Sequence, residues 1–162
     1  SSYDVIVNYT TDRELSDEQC YVLLDAVSRG KGFVAIHGGT ATFWNSPAYF
    51  AMIGGKFVGK SMRPPWPFKF KVQIRTARLV QEYPITMGID DFEFEDELFV
   101  LEGDQTQWHV LARAEGHPIM YIKTFGKGRV FVFTLGHGEK QLKHPVFQTL
   151  VLNGVEWVAG LR

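Results

Sequence analysis

Apolar positions enter the chain almost at once, as Asp4-Val5-Ile6-Val7, and a polar, turn-like run from Asn8 to Arg13 follows. A β-branched run bounded in this way predicts a buried strand. Ser16-Asp17-Glu18-Gln19 then has the Ser-x-x-Gln form of a capping box, with Leu15 and Cys20 placed to staple it from either side. Cys20, Leu23, Leu24 and Val27 recur at helical spacing, and Gly30 is placed to close that helix in the left-handed conformation. Gly32 to His37 is apolar on both alternating sets of side chains, the pattern of a central strand covered on both faces. A crossover between neighbouring parallel strands is almost always right-handed, so this opening predicts an α/β fold with a doubly wound, mostly parallel sheet and helices on both faces.

Thr40 to Ile53 supplies the next expected helix, ended by Gly54-Gly55. Pro64, Pro65 and Pro67 surround Trp66, so Lys60 to Pro67 is expected to be a loop. Phe68 to Ile74, Phe99 to Leu101, Trp108 to Ala114 and Ile119 to Phe125 alternate as strands do, and Gly126-Lys127-Gly128 turns the last of them into Arg129 to Thr134. The second half therefore adds antiparallel strand pairs. A final helix is predicted from about His144 to Ala159, with Val146, Leu150, Val151, Val155 and Trp157 along one side. No repeat, low-complexity tract or linker interrupts the pattern, which makes residues 1–162 a single domain.

Composition narrows the partners. Hydrophobic residues at 45% and charged residues at 22% suit a globular core. A net charge of −1 provides no field for nucleic acid or an anionic membrane, so neither is expected as a partner. No apolar run approaches the roughly 20 residues that span a bilayer, and no targeting signal is visible. Cys20 is the single cysteine, which excludes an internal disulfide and a thiolate zinc cluster. A cytoplasmic location fits that cysteine use.

The candidate chemistry lies at two strand ends. His37 closes the buried strand and precedes Gly38-Gly39, and His137 follows Val130 to Leu135 between Gly136 and Gly138. In open α/β sheets ligands bind beyond the carboxyl ends of parallel strands, and adjacent glycines let a ligand approach the backbone. A histidine at such a place can equally serve only to bond a loop carbonyl, but the repeated context favours function. The pair is expected to lie within about a substrate's width, near 6 to 10 Å for groups flanking one sugar, and to act as acid and base. Between them, Asp90 to Glu97 is an acidic run, read mostly as solvated surface, with Asp96 or Glu97 turned inward to orient a histidine or bind hydroxyls. His109, His117 and His144 lack the glycine context and are read as structural or surface residues. Among Trp44, Trp66 and Trp108, Trp66 in its proline-rich loop is the preferred aromatic platform for a sugar.

Several motifs occur together: Gly32-Phe33-Val34-Ala35-Ile36-His37-Gly38, Ile53-Gly54-Gly55-Lys56-Phe57, Pro84-Ile85-Thr86-Met87-Gly88, Asp96-Glu97-Leu98, Phe125-Gly126-Lys127-Gly128-Arg129-Val130, Leu135-Gly136-His137 and Asn153-Gly154-Val155-Glu156-Trp157. In that order they resemble the ThuA-like family, named for trehalose utilisation, across residues 4 to 160. The resemblance implies a flavodoxin-like fold akin to the class I glutamine amidotransferases. In those enzymes a cysteine nucleophile occupies the turn that here reads Ile36-His37-Gly38-Gly39, so thioester chemistry on glutamine is not expected. It also implies a strand, helix and strand before the segment similar to Tyr3 to Asn8, and their absence here predicts that another segment or chain covers the Val5-Ile6-Val7 edge. Lys60 and Tyr83 stand where similar sequences often carry histidine, and Lys60 weakens a three-histidine metal site.

The resulting expectation is a protein of carbohydrate metabolism acting on a sugar or oxidised sugar. His37, His137, Asp96 and Glu97 form its catalytic set, and Gly38, Gly39, Lys60, Trp66 and Gly136 form its substrate-binding set. An enzyme, a hydrolase or isomerase, is preferred over a sugar-binding or interaction domain without turnover. No cofactor is expected, although two histidines and one carboxylate leave a divalent metal open. The expected partner is a small carbohydrate, and self-association stays open.

Overall fold

The computed structural model describes residues 2–60, 67–74 and 84–161. Trp66 and Tyr83 lie outside the described residues, as does the side chain of Lys60. The elements in chain order are β1 (Val5–Asn8), α1 (Asp17–Ser28), β2 (Gly32–Ile36), α2 (Pro47–Ile53), β3 (Lys56–Lys60), β4 (Phe68–Ile74), β5 (Phe92–Asp96), β6 (Phe99–Glu102), β7 (His109–Ala114), β8 (His117–Phe125), β9 (Gly128–Phe133), α3 (Glu139–Leu142) and α4 (Pro145–Val158).

A seven-stranded sheet runs β1-β2-β9-β8-β7-β4-β5, and β3 pairs with β6 in a separate two-stranded sheet. The expectation of a mostly parallel sheet is corrected. Among the described residues only β1 with β2 and β2 with β9 are parallel in this sheet, and the other four pairings are antiparallel. Short turns force the direction of β7 to β8 and β8 to β9, since a two-residue hairpin can join only antiparallel strands. Glu115 and Gly116, with φ of 48° and 81°, supply the left-handed pair that β7 and β8 need for such a turn. Gly126 and Lys127 reverse β8 into β9.

Helices cover both faces. Val34, Ile36, Phe131 and Phe133 pack toward Phe147, Leu150 and Val158 of α4. Phe33, Ala35, Val130 and Val132 project the other way, onto Val27 of α1 and Tyr49, Met52 and Ile53 of α2. This division follows from strand alternation in β2 and β9, both apolar on each set. α4 reaches its close approach at Gly154, where an added Cβ would fall 2.3 Å from the Phe131 ring.

The capping box of α1 forms as expected, with Ser16 accepting from the Gln19 amide and the Gln19 side chain accepting from Ser16 N–H. The helix expected over Thr40 to Ile53 is shorter. His37–Thr40 is one 3-10 turn, and α2 begins at Pro47 with Ser46 as its cap. Proline lacks an amide donor and has a fixed φ, which suits the first helical position, so the helix starts there and not upstream.

The acidic run also resolves differently. Phe92–Asp96 is the edge strand β5, with Phe94 and Asp96 buried and Glu93 exposed. Its register sets Glu95 opposite Lys69 and Glu93 opposite Lys71 on β4. Opposite charges facing across two strands stabilise the pairing, and this is why so acidic a segment folds as sheet.

Candidate functional site

β2 ends at Ile36, and the chain turns sharply at His37, whose φ of +41° lies in the left-handed region. A non-glycine residue is rarely held there unless its surroundings fix it. The surroundings are well defined: the imidazole is 6% exposed, stacks on Phe99 of β6 with ring centroids 4.0 Å apart, and places Nδ1 2.9 Å from the Thr134 carbonyl oxygen. A carbonyl only accepts, so Nδ1 carries the proton and Nε2 is left as an acceptor. That Nε2 lies 3.3 Å from Nδ1 of His137.

His137 stands on the loop after β9, with its side chain 55% exposed, and its Nδ1 is 3.1 Å from Oε2 of Glu97. The two histidines, 100 positions apart, therefore share a rim as the strand-end argument requires, and Glu97 joins them. Their spacing is within the substrate's width expected, and closer than two groups on either side of a sugar would be. Ring nitrogens in contact cannot flank a sugar from opposite sides, so the pair converges on one point.

The adjacent carboxylates divide their roles. Asp96 is fully buried, and its oxygens accept the amides of Gly136 at 2.6 Å, Glu97 at 2.8 Å and His137 at 3.3 Å. Burial lifts its carboxyl above the ordinary carboxylate range, while the three amides and His137 pull the other way. Asp96 does not line the cleft, and what it holds is the backbone that carries His137. Glu97, one residue on, presents its carboxylate to the imidazole.

These groups form one wall of a cleft of about 440 Å³ lined by Tyr9, Thr11, Asp12, His37, Ala41, Trp44, Phe57, Glu97, Phe99 and His137. Tyr9 donates its hydroxyl to the Gly136 carbonyl, and burial followed by the charge of Asp96 lifts its phenol above the ordinary value. Trp44, 39% exposed, donates Nε1 to Asp12 at 3.0 Å. Asp12 and Phe43 also have positive φ, at 50° and 56°, so strained backbone gathers around this cleft.

The sequence did not single out Tyr9, Asp12 or Trp44. The available signal was the polar run after β1, which ends at the same side of the parallel strands as His37. Trp108 is core, buried and stacked on Tyr121 at 4.3 Å. Beside the histidines, the close approaches at the glycines are made by the chain itself. A Cβ at Gly38 would meet Thr11 at 1.9 Å, one at Gly39 the Asn8 carbonyl oxygen at 2.3 Å, and one at Gly136 the Phe147 ring at 2.8 Å. Cys20 lies on α1 with Sγ 2.9 Å from Ser46 Oγ, away from the cleft lining.

Among the described residues, no helix is long and apolar enough to cross a membrane. No curated protein matches the chain. Among solved structures, a ThuA-like protein from Parabacteroides merdae superposes with a TM-score of 0.78 at 18% identity, covering 99% of this chain and 71% of that one. A ThuA-like protein from Bacteroides uniformis gives 0.76 at 18% identity over 96% and 69% of the two chains. A protein of Salmonella typhimurium described as cytoplasmic gives 0.69 at 17% identity over 96% and 72%. Such identities establish a shared fold. The ThuA family model, described as trehalose utilisation, matches residues 1–158, and the chain belongs to that family.

Proposed function

We propose that this protein acts on a sugar or an oxidised sugar bound in the cleft, with His37, His137 and Glu97 meeting at one polar group of the ligand. The observation that carries this reading is the 3.3 Å contact between the two imidazoles at the cleft wall, with the carboxylate 3.1 Å from one of them. His37 Nε2 is the acceptor for a proton from a sugar hydroxyl or from the carbon beside a carbonyl. Glu97 orients His137, and Trp44 offers an aromatic face at the opening. The family's description supplies the sugar, and a cytoplasmic setting follows the printed description of the Salmonella relative.

Glutamine hydrolysis is set aside. The sharp turn after β2 is the kind of elbow that presents a nucleophile in amidotransferase-like folds, and it carries an imidazole in place of a thiol. That elbow is what supports kinship with the class I glutamine amidotransferase-like folds, on a mixed sheet.

The test is a turnover screen of plain and oxidised disaccharides with the wild-type chain and the His37→Ala and His137→Ala variants. An enzyme loses turnover in both variants while circular dichroism stays native. A carbohydrate binder without turnover shows only weaker affinity, and the absence of any sugar interaction overturns the reading.

A further inference from the structure

We infer that His37 Nε2, His137 Nδ1 and Glu97 Oε2 form a binding site for one divalent cation of the zinc, cobalt, manganese or ferrous class. This deepens the proposed function, since with a cation in place the proton-accepting role given above to His37 Nε2 would pass to a water on the cation, and it rests on that reading only for the identity of the second ligand, a sugar bound through adjacent oxygens.

The argument is geometric. These three atoms all lie within 4.8 Å of one another. Nitrogen and oxygen ligands sit at roughly 2.0–2.2 Å from such ions, so neighbouring ligands are separated by about 3.0 Å at right angles and about 3.4 Å in a tetrahedron. The observed 3.3 Å and 3.1 Å fall in this interval. With the His37 proton on the Thr134 side, Nε2 joins His137 Nδ1 and the Glu97 carboxylate as three electron-pair donors at one point.

The surroundings suit a metal. The Thr134 carbonyl fixes the His37 tautomer that leaves Nε2 unprotonated, the usual outer-shell arrangement for a ligating histidine. Phe99 packs against the His37 ring and limits its rotation. Asp96 holds the peptide amides of both His137 and Glu97, so two of the three ligands are tied to one buried carboxylate. Two imidazoles and one carboxylate form a set that leaves coordination positions open. Those positions face the cleft and can take a vicinal diol or an α-hydroxyketone, the oxygen pair that sugars and oxidised sugars carry.

The experiment needs no sugar. Chelator-stripped wild-type chain is titrated with Co(II), followed by visible absorption and calorimetry, and Zn(II) and Mn(II) are then competed against it. One equivalent of Co(II) with ligand-field bands is expected. His37→Asn, Glu97→Gln and His137→Ala, each checked for native circular dichroism, should bind about 100-fold or more weakly, beyond the loss that an outer-shell change produces. His117→Ala should bind as wild type. The absence of stoichiometric binding, or binding that survives all three ligand changes, overturns the inference. Sugar turnover that persists in metal-free protein would sink the metal and spare the proposed function, whereas stoichiometric Co(II) without any sugar interaction would do the reverse.

Discussion

Asp96 Oδ2 accepts the backbone amide of Gly136 at 2.6 Å, joining the end of β5 to the loop after β9 across 40 positions of chain. The same carboxylate holds the amides of Glu97 and His137. Removing it strands two buried donors and one partly buried one. Asp96→Ala is expected to cost about 3 kcal/mol in denaturant unfolding. Asp96→Asn should fall between it and wild type, because one oxygen remains an acceptor while the new NH₂ faces an amide. Wild-type stability in both would show that the loop is held by other contacts.

His37 sits at φ +41°, where asparagine is tolerated and a β-branched residue is not. His37→Asn should therefore be more stable than His37→Val by at least about 1 kcal/mol, although valine better matches a buried apolar site. Equal midpoints in a urea titration would mean that the turn relaxes once the imidazole is gone.

Trp44 is half-exposed at the cleft and tethered to Asp12. Trp44→Ala should weaken binding of a disaccharide by about 1 kcal/mol, near fivefold in Kd, with the fold retained. Unchanged affinity by calorimetry would place the sugar elsewhere on the cleft wall.

Gly154 brings α4 onto Phe131, and Gly154→Ala would drive a methyl into that ring. A loss of roughly 1–3 kcal/mol is expected, seen as a fall of about 3–10 °C in Tm. An unaltered Tm would mean that α4 can move away from β9 without cost.

What could be read from the sequence followed local rules. β2 was visible because it is apolar on both faces, α1 because Ser16 and Gln19 form a reciprocal cap, and the two histidines because each ends a strand beside glycine. The β8 to β9 hairpin was visible in Gly126-Lys127-Gly128, but the pairing of β4 with β5 was not, since its partners, such as Phe70 with Phe94, are distant in sequence. β5 was hidden because its charges look solvated until Lys69 and Lys71 stand opposite them. The direct contact of the two histidines was hidden for a related reason. Strand ends locate a rim, but the rotation of His37 is set by Phe99 and Thr134, which no spacing rule connects to it. Trp44 was passed over because it lies in a stretch read as helix, where the chain instead waits for Pro47.

The bond between the end of β5 and the loop after β9 has a dynamic consequence. The last strand of the sheet, β5, lies at the edge away from β1, yet it ends in the residue that grips the His137 loop. Any ligand that clamps His137 to Glu97 therefore also fastens the sheet's outer margin. Amide exchange at Phe94 and Glu95 should slow when that ligand is bound, even though neither residue lines the cleft, because fraying of the margin and release of the ligand become a single event.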